Sequence, residues 1–132
     1  MLACREQLEL KAEPGQLATA RRFVDAAAAR FGLEDQDRYE FTFAVNEAVS
    51  NAIEHGRPSP DGTIRLHVAA DDGTLVFEVE DHGTFAPGPP TIDRLQERGR
   101  GLALMAATMD EVDVRRRSNG TVVRLCKRRA AA

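Results

Sequence analysis

Val45-Asn46-Glu47-Ala48-Val49-Ser50-Asn51-Ala52-Ile53-Glu54-His55-Gly56 is the stretch whose reading decides this chain. It reads as the second half of a helix that begins near Glu34-Asp35-Gln36-Asp37, where acidic residues complement the positive end of the helix dipole. Phe41, Ala44, Val45, Ala48, Ala52 and Ile53 supply its apolar stripe, and Gly56 with Pro58 ends it. Glu47 and Asn51 lie four residues apart, which stacks their side chains on one face. A carboxylate can accept a proton, and an amide carbonyl is a ligand for a hard cation. A base and a Mg²⁺ ligand on one face suit phosphoryl transfer. The same spacing also occurs on any solvated helix face, so the pair alone leaves both readings open.

Working outward, the chain of 132 residues is expected to be a single domain spanning 1–132 with one core. Its hydrophobic fraction of 42% and charged fraction of 30% are those of an ordinary soluble globular protein. No apolar run is long enough to cross a bilayer, and the start Met1-Leu2-Ala3-Cys4-Arg5-Glu6 lacks the pattern of a signal peptide, so the expected location is cytoplasmic, with no membrane partner. A net charge of −3 argues against direct nucleic-acid binding. Arg115-Arg116-Arg117 and Lys127-Arg128-Arg129 are read as solvated faces and the end of a strand pair, since no aromatic residues interleave them. Cys4 and Cys126 are expected as small apolar residues in strands, not as a disulfide or zinc site.

Leu8 and Leu10 alternate with polar residues between Gln7 and Lys11, giving a first strand that Pro14-Gly15 breaks. Leu17 to Phe31 is an alanine-rich helical pattern, with Gly32 at its C-cap. After the second helix, Ile64, Leu66 and Val68 alternate, then Leu75, Phe77 and Val79, across Asp71-Asp72-Gly73: a hairpin with one apolar face. Thr84 to Arg100 holds Pro87, Pro89 and Pro90 and reads as loop, with a helical turn near Ile92 to Gln96. Leu102 to Met109 reads as a short apolar helix. Val112 and Val114, then Val122, Val123 and Leu125, form a second hairpin across Ser118-Asn119-Gly120. The element order predicts an α+β fold, a two-layer α/β sandwich with helices on one face of a mixed, mostly antiparallel sheet.

Four short signals recur along this frame in a fixed order. They are the Glu47/Asn51 helix, Asp81-His82-Gly83 at a strand end, Gly99-Arg100-Gly101-Leu102 opening a helix, and Gly120-Thr121 entering the last strand. At these residues the chain resembles the GHKL family of ATP-binding domains, and within it the anti-sigma-factor serine kinases. Asn46 to Gly56 looks like that branch's N-box, and Gly99-Arg100-Gly101-Leu102-Ala103-Leu104-Met105 like its second glycine box. The resemblance implies a Bergerat-type fold that binds ATP with Mg²⁺. Asp81 would then accept a hydrogen bond from the adenine amine, while Gly83 lets the base approach the backbone. Gly99, Gly101 and Leu102 would present helix N-terminal amides to the phosphates. Arg100, flanked by Arg98 and Arg94, could reach a phosphate, and is otherwise a solvated arginine. Thr121 resembles the family threonine near the adenine, and is otherwise an ordinary β-branched strand residue.

The usual first glycine box is Asp-X-Gly-X-Gly, and Phe85 stands at its last position here, a departure common in the anti-sigma branch. The chain lacks a dimerisation helix pair bearing a phospho-acceptor histidine, so His55, His67 and His82 are read as packing or site-edge residues. The resemblance therefore implies a serine/threonine protein kinase acting as an anti-sigma factor. Glu47 would be its base, and Asn51 its Mg²⁺ ligand. Its partners would be a sigma factor and a STAS-type anti-anti-sigma antagonist, with a homodimer as the family's common assembly. Two other readings stay open: a non-catalytic, ATP-dependent partner-switching module, and a stand-alone sensor-kinase ATPase domain.

Overall fold

The computed structural model describes residues 2–56, 62–81, 107–117 and 120–129. Among these residues, five strands and two long helices occur in the order β1 (Leu2–Lys11), a short 3-10 turn (Pro14–Gln16), α1 (Leu17–Phe31), α2 (Asp35–Gly56), β2 (Thr63–Asp71), β3 (Thr74–Asp81), β4 (Glu111–Arg117) and β5 (Gly120–Arg128). The strands form one sheet in the order β1-β2-β3-β5-β4. All four pairings are antiparallel, the limiting form of the mostly antiparallel sheet expected.

Most element boundaries follow the sequence pattern. α1 occupies the expected span, and Gly32 closes it at φ 91°, donating its N–H to the carbonyls of Ala28 and Ala29. The β2–β3 hairpin turns through Asp72 (φ 45°) and Gly73 (φ 81°), consecutive positive-φ residues whose twist matches the flanking strands. β1 is longer than its apolar alternation predicts. Its first residues pair with β2 through a register shift between Leu2 and Cys4, which breaks the period that sequence reading depends on. The predicted turn near Ile92 to Gln96 and most of the Leu102 to Met109 helix lie outside the described residues, although Ala107 and Thr108 are helical.

The helices cover one face of the sheet. Ile64, Leu66, Val68 and Ala70 of β2, with Leu75, Phe77 and Val79 of β3, are buried at every second position. They meet Phe41, Ala44, Val45, Ala48, Val49, Ala52 and Ile53 of α2, and Ala20, Val24, Ala27 and Ala28 of α1. Each large side chain buried here contributes about 1.5–3 kcal/mol. The opposite face alternates charges across strands, pairing Arg65 with Glu9, His67 with Glu80, and Arg124 with Glu78. Cys126 sits on that face, buried and free, and its burial pushes the thiol pKa up. Cys4 lies three strand spacings away, about 14 Å, which rules out a disulfide between them. No helix among the described residues is long and apolar enough to cross a membrane.

Strand direction fixes which residues meet at the end of β3. β3 and β4 run the same way with β5 between them, so the connection from Asp81 to Glu111 starts and ends at opposite ends of the sheet. Asp81 ends β3 beside the start of β5 and the start of β2.

Candidate nucleotide site

β3 places Leu75, Phe77, Val79 and Asp81 on the covered face, so the alternation that builds the core also turns the last carboxylate inward. Asp81 is only 5% exposed. Its register partner on β5 is Thr121, also 5% exposed. Side chains directly opposite on one face have Cβ atoms about 4.5–5.5 Å apart. A carboxylate and a hydroxyl distant in sequence thus share one small patch of the sheet. Thr121 Oγ1 has no hydrogen-bond partner among the described residues. An unpaired buried hydroxyl costs roughly 1–3 kcal/mol, so its presence at a strand end marks a position where a polar group can be received.

α2 spans the sheet from one end to the other, and both of its ends are tied. Near its start, Glu40 Oε1 accepts a hydrogen bond at 3.1 Å from Nζ of Lys127, the penultimate residue of β5. Past its end, residues 57–62 connect it to Thr63, which begins β2 next to Asp81's neighbour Ile64. From Glu40 to Asn51 the helix advances about 16 Å. From Lys127 back to Thr121 the strand covers about 20 Å. The half of α2 that carries Glu47 and Asn51 therefore lies over the end of the sheet that holds Asp81 and Thr121. Glu47 and Asn51 are both partly exposed, whereas their neighbours Ala48, Val49, Ala52 and Ile53 are buried. They sit on a flank of the helix between core and solvent. Asp37, Glu40, Glu47 and Asn51 form one stripe along that flank, with the buried Ala44 between Glu40 and Glu47 at its core edge.

The structure thus gathers four of the sequence-predicted residues, Glu47, Asn51, Asp81 and Thr121, at one end of the molecule. Gly83, Gly99, Arg100, Gly101 and Leu102 lie outside the described residues. Among the described residues, no three His, Cys, Asp or Glu converge into a metal cage. Asn51 suits the other mode, in which Mg²⁺ takes one or two protein ligands and completes its shell with phosphates and water.

Sequence reading misplaced one residue. Lys127 belongs to a run whose composition predicts a solvated surface, yet its side chain is only 11% exposed. Its Nζ donates to Glu40 Oε1 and, at 2.6 Å, to the Thr108 carbonyl, and lies 3.7 Å from Asp37 Oδ1. The available signal was the alternation Thr121, Val123, Leu125, Lys127, which puts the lysine on the covered face. Its neighbours keep to the surface: Arg128 is exposed, and Arg129 donates from Nη1 to the Phe31 carbonyl at 3.0 Å with its guanidinium 5.1 Å above the Phe31 ring. Arg115 is exposed as expected, bonded to Asp113 at 2.7 Å.

Residues 10–127 match the histidine kinase-like ATPase domain family. The chain belongs to that family. This ATPase domain is also 31% identical to the serine-protein kinase RsbW of Bacillus pumilus, in an alignment covering 88% of this chain and 81% of that protein. It is 32% identical to the anti-sigma F factor of Geobacillus stearothermophilus, covering 91% of this chain and 89% of that protein. Among solved structures it resembles the RsbU and RsbW domains of a Mycobacterium tuberculosis protein, with a TM-score of 0.70 and 26% identity. That match covers 96% of this chain and 32% of the other, so the chain spans about a third of that larger protein. Membership accounts for the α+β architecture and implies the use of ATP.

Proposed function

We propose that this ATPase domain is an anti-sigma factor with serine/threonine kinase activity, which binds Mg²⁺-ATP, holds a sigma factor, and phosphorylates a serine on a STAS-type antagonist. The observation that carries the reading is the buried Asp81–Thr121 pair, whose hydroxyl has no partner among the described residues, beneath the Glu47–Asn51 half of α2. The names of the relatives support the same reading.

The donor set fits a purine nucleotide. Asp81 offers an acceptor to an exocyclic amine, and Thr121 Oγ1 is a buried polar atom that can bond the ring or a water beside it. Asn51 would hold Mg²⁺ through its amide oxygen. When bound, Mg²⁺-ATP supplies the phosphoryl group and neutralises the charge that develops on it. Glu47, one helical turn before Asn51, would accept the proton of the attacking serine. A positioned base of this kind contributes roughly 10²–10⁴-fold.

The deciding experiment incubates the chain with γ-labelled ATP and with sigma-factor and STAS-type proteins of its own organism. Label should pass to a serine of the STAS-type protein. With Glu47→Gln, transfer should fall by about 10²–10⁴-fold while ATP binding and folding survive. ATP-dependent capture of a partner with no label transferred would instead identify a non-catalytic switch. Label appearing on a histidine of another chain would identify a sensor-kinase domain.

A further inference from the structure

We infer that Lys127 is a positioning residue for phosphotransfer, fixing the rotation of α2 about its own axis and so the aim of Glu47 and Asn51. The inference rests on the kinase reading above for its catalytic arm. Its geometry is independent of that reading.

Lys127 reaches from the covered face of β5 to Glu40 Oε1 and the Thr108 carbonyl, with Asp37 Oδ1 beside it. One ammonium therefore joins three segments: the strand that carries Thr121, the helix that carries Glu47 and Asn51, and the helical residue Thr108, three positions before β4 begins. Asp37 and Glu40 occupy the same α2 stripe as Glu47 and Asn51. Holding the first pair against β5 fixes the phase of the whole stripe, because an α-helix transmits rotation rigidly over two turns. Glu47 lies seven residues beyond Glu40, about 10 Å along the axis, so Lys127 acts on it through the helix and not by contact.

Side-chain ends stand about 5–6 Å from a helix axis, so a rotation of about 10° moves a carboxylate by about 1 Å. A displacement of that size at a reacting group can cost about 10²-fold in rate. Stability alone does not call for a lysine here. Buried ion pairs replaced by apolar residues of similar volume are often neutral or stabilising. The core-facing positions before it on β5, Val123 and Leu125, show that apolar residues suit this face. A charge that contributes little to folding but orients a helix is better accounted for by what the helix carries.

The test uses Lys127→Met, Glu40→Ala and the double variant, each compared per folded molecule by circular dichroism. Four quantities are read: ADP affinity in EDTA, the gain in ADP affinity on adding Mg²⁺, and kcat and KM for label transfer from ATP. ADP affinity in EDTA reports the sheet side of the site and should stay within about threefold. The Mg²⁺-dependent gain reports Asn51 and should shrink by about tenfold in Lys127→Met. The kcat should fall by about 10²-fold, while KM for Mg²⁺-ATP should rise by no more than the roughly tenfold lost from the Mg²⁺-dependent gain. Glu40→Ala keeps a good helix former at the position, so it stays informative even where Lys127→Met does not fold. It should lose kcat in the same sense, and the double variant should be no worse than Lys127→Met alone. Unchanged kcat and Mg²⁺ gain per folded molecule would overturn the inference, as would losses that multiply in the double variant. A wild-type chain that labels no protein yet shows the Mg²⁺ gain would remove the kinase reading only, and the variants' Mg²⁺ gain would still decide Lys127.

Discussion

Replacing Thr121 by valine sets folding against binding at a single atom. Valine keeps the β-branched shape and the packing of a residue that is 5% exposed, and it removes only the hydroxyl. That hydroxyl has no partner among the described residues, so its removal relieves a desolvation cost of roughly 1–3 kcal/mol in the nucleotide-free protein. Strand register is unaffected, because Thr121 pairs with Asp81 through the backbone. The free protein should therefore gain about 1 kcal/mol, a rise in Tm of about 3–5 °C for a domain of this size. The nucleotide complex should lose a polar contact of comparable worth, and each 1.4 kcal/mol is about tenfold in affinity. The variant should thus melt higher and bind ADP about tenfold more weakly. Differential scanning calorimetry without nucleotide and isothermal titration with ADP measure the two effects separately. A variant that melts higher with unchanged ADP affinity would reduce Thr121 to a strand residue and refute its place in the site. A variant that melts lower would refute the unpartnered hydroxyl itself.

Two further expectations follow from particular atoms. Asp81→Asn should weaken ATP and ADP binding by about 1–3 kcal/mol, because an amide can turn a donor toward the adenine amine, and titration calorimetry reading wild-type affinity would remove Asp81 from base recognition. In a Cys4→Ser background, the raised thiol pKa of Cys126 should keep it unreactive toward a disulfide reagent in the native protein at pH 8 and reactive once unfolded. Since its folded pKa lies above the unfolded one, the associated stability is fully present below about pH 8.5 and is lost as pH rises toward the folded value. Urea midpoints independent of pH across that range would contradict it.

The sequence was most legible where one residue's position follows from its near neighbours. The stripe from Phe41 to Ile53 announces α2, and the alternation through Leu75, Phe77 and Val79 carries Asp81 to the covered face without further information. What it could not supply was the pairing of β3 with β5. β5 is inserted between two strands that run in parallel, and no local pattern specifies which of two later strands takes the inner position. Asp81 and Thr121 could therefore each be proposed for a nucleotide by resemblance, but not placed opposite each other. Lys127 failed for a different reason. Its charge and its basic neighbours argued for solvent, and they outweighed a period of two that pointed inward. Tertiary partners on α2 and at Thr108 override a residue's usual preference for water, and they are distant in sequence.

β5 itself carries the argument linking fold to site. Its covered face presents Thr121, Val123, Leu125 and Lys127, polar at both ends and apolar between. In an ordinary core strand both polar ends would be satisfied or replaced. Here the lysine end is bonded to a carboxylate and a carbonyl, while the hydroxyl at the threonine end has no partner among the described residues. The two ends differ in what lies above them: the tethered first turns of α2 at one, the Glu47–Asn51 half at the other. A strand that fixes a helix at one end and presents a buried hydroxyl at the other holds the helix still relative to whatever enters. Preorganisation of this kind lowers the ordering needed on binding, so its removal at Lys127 should be felt in the reaction step more than in capture of the base.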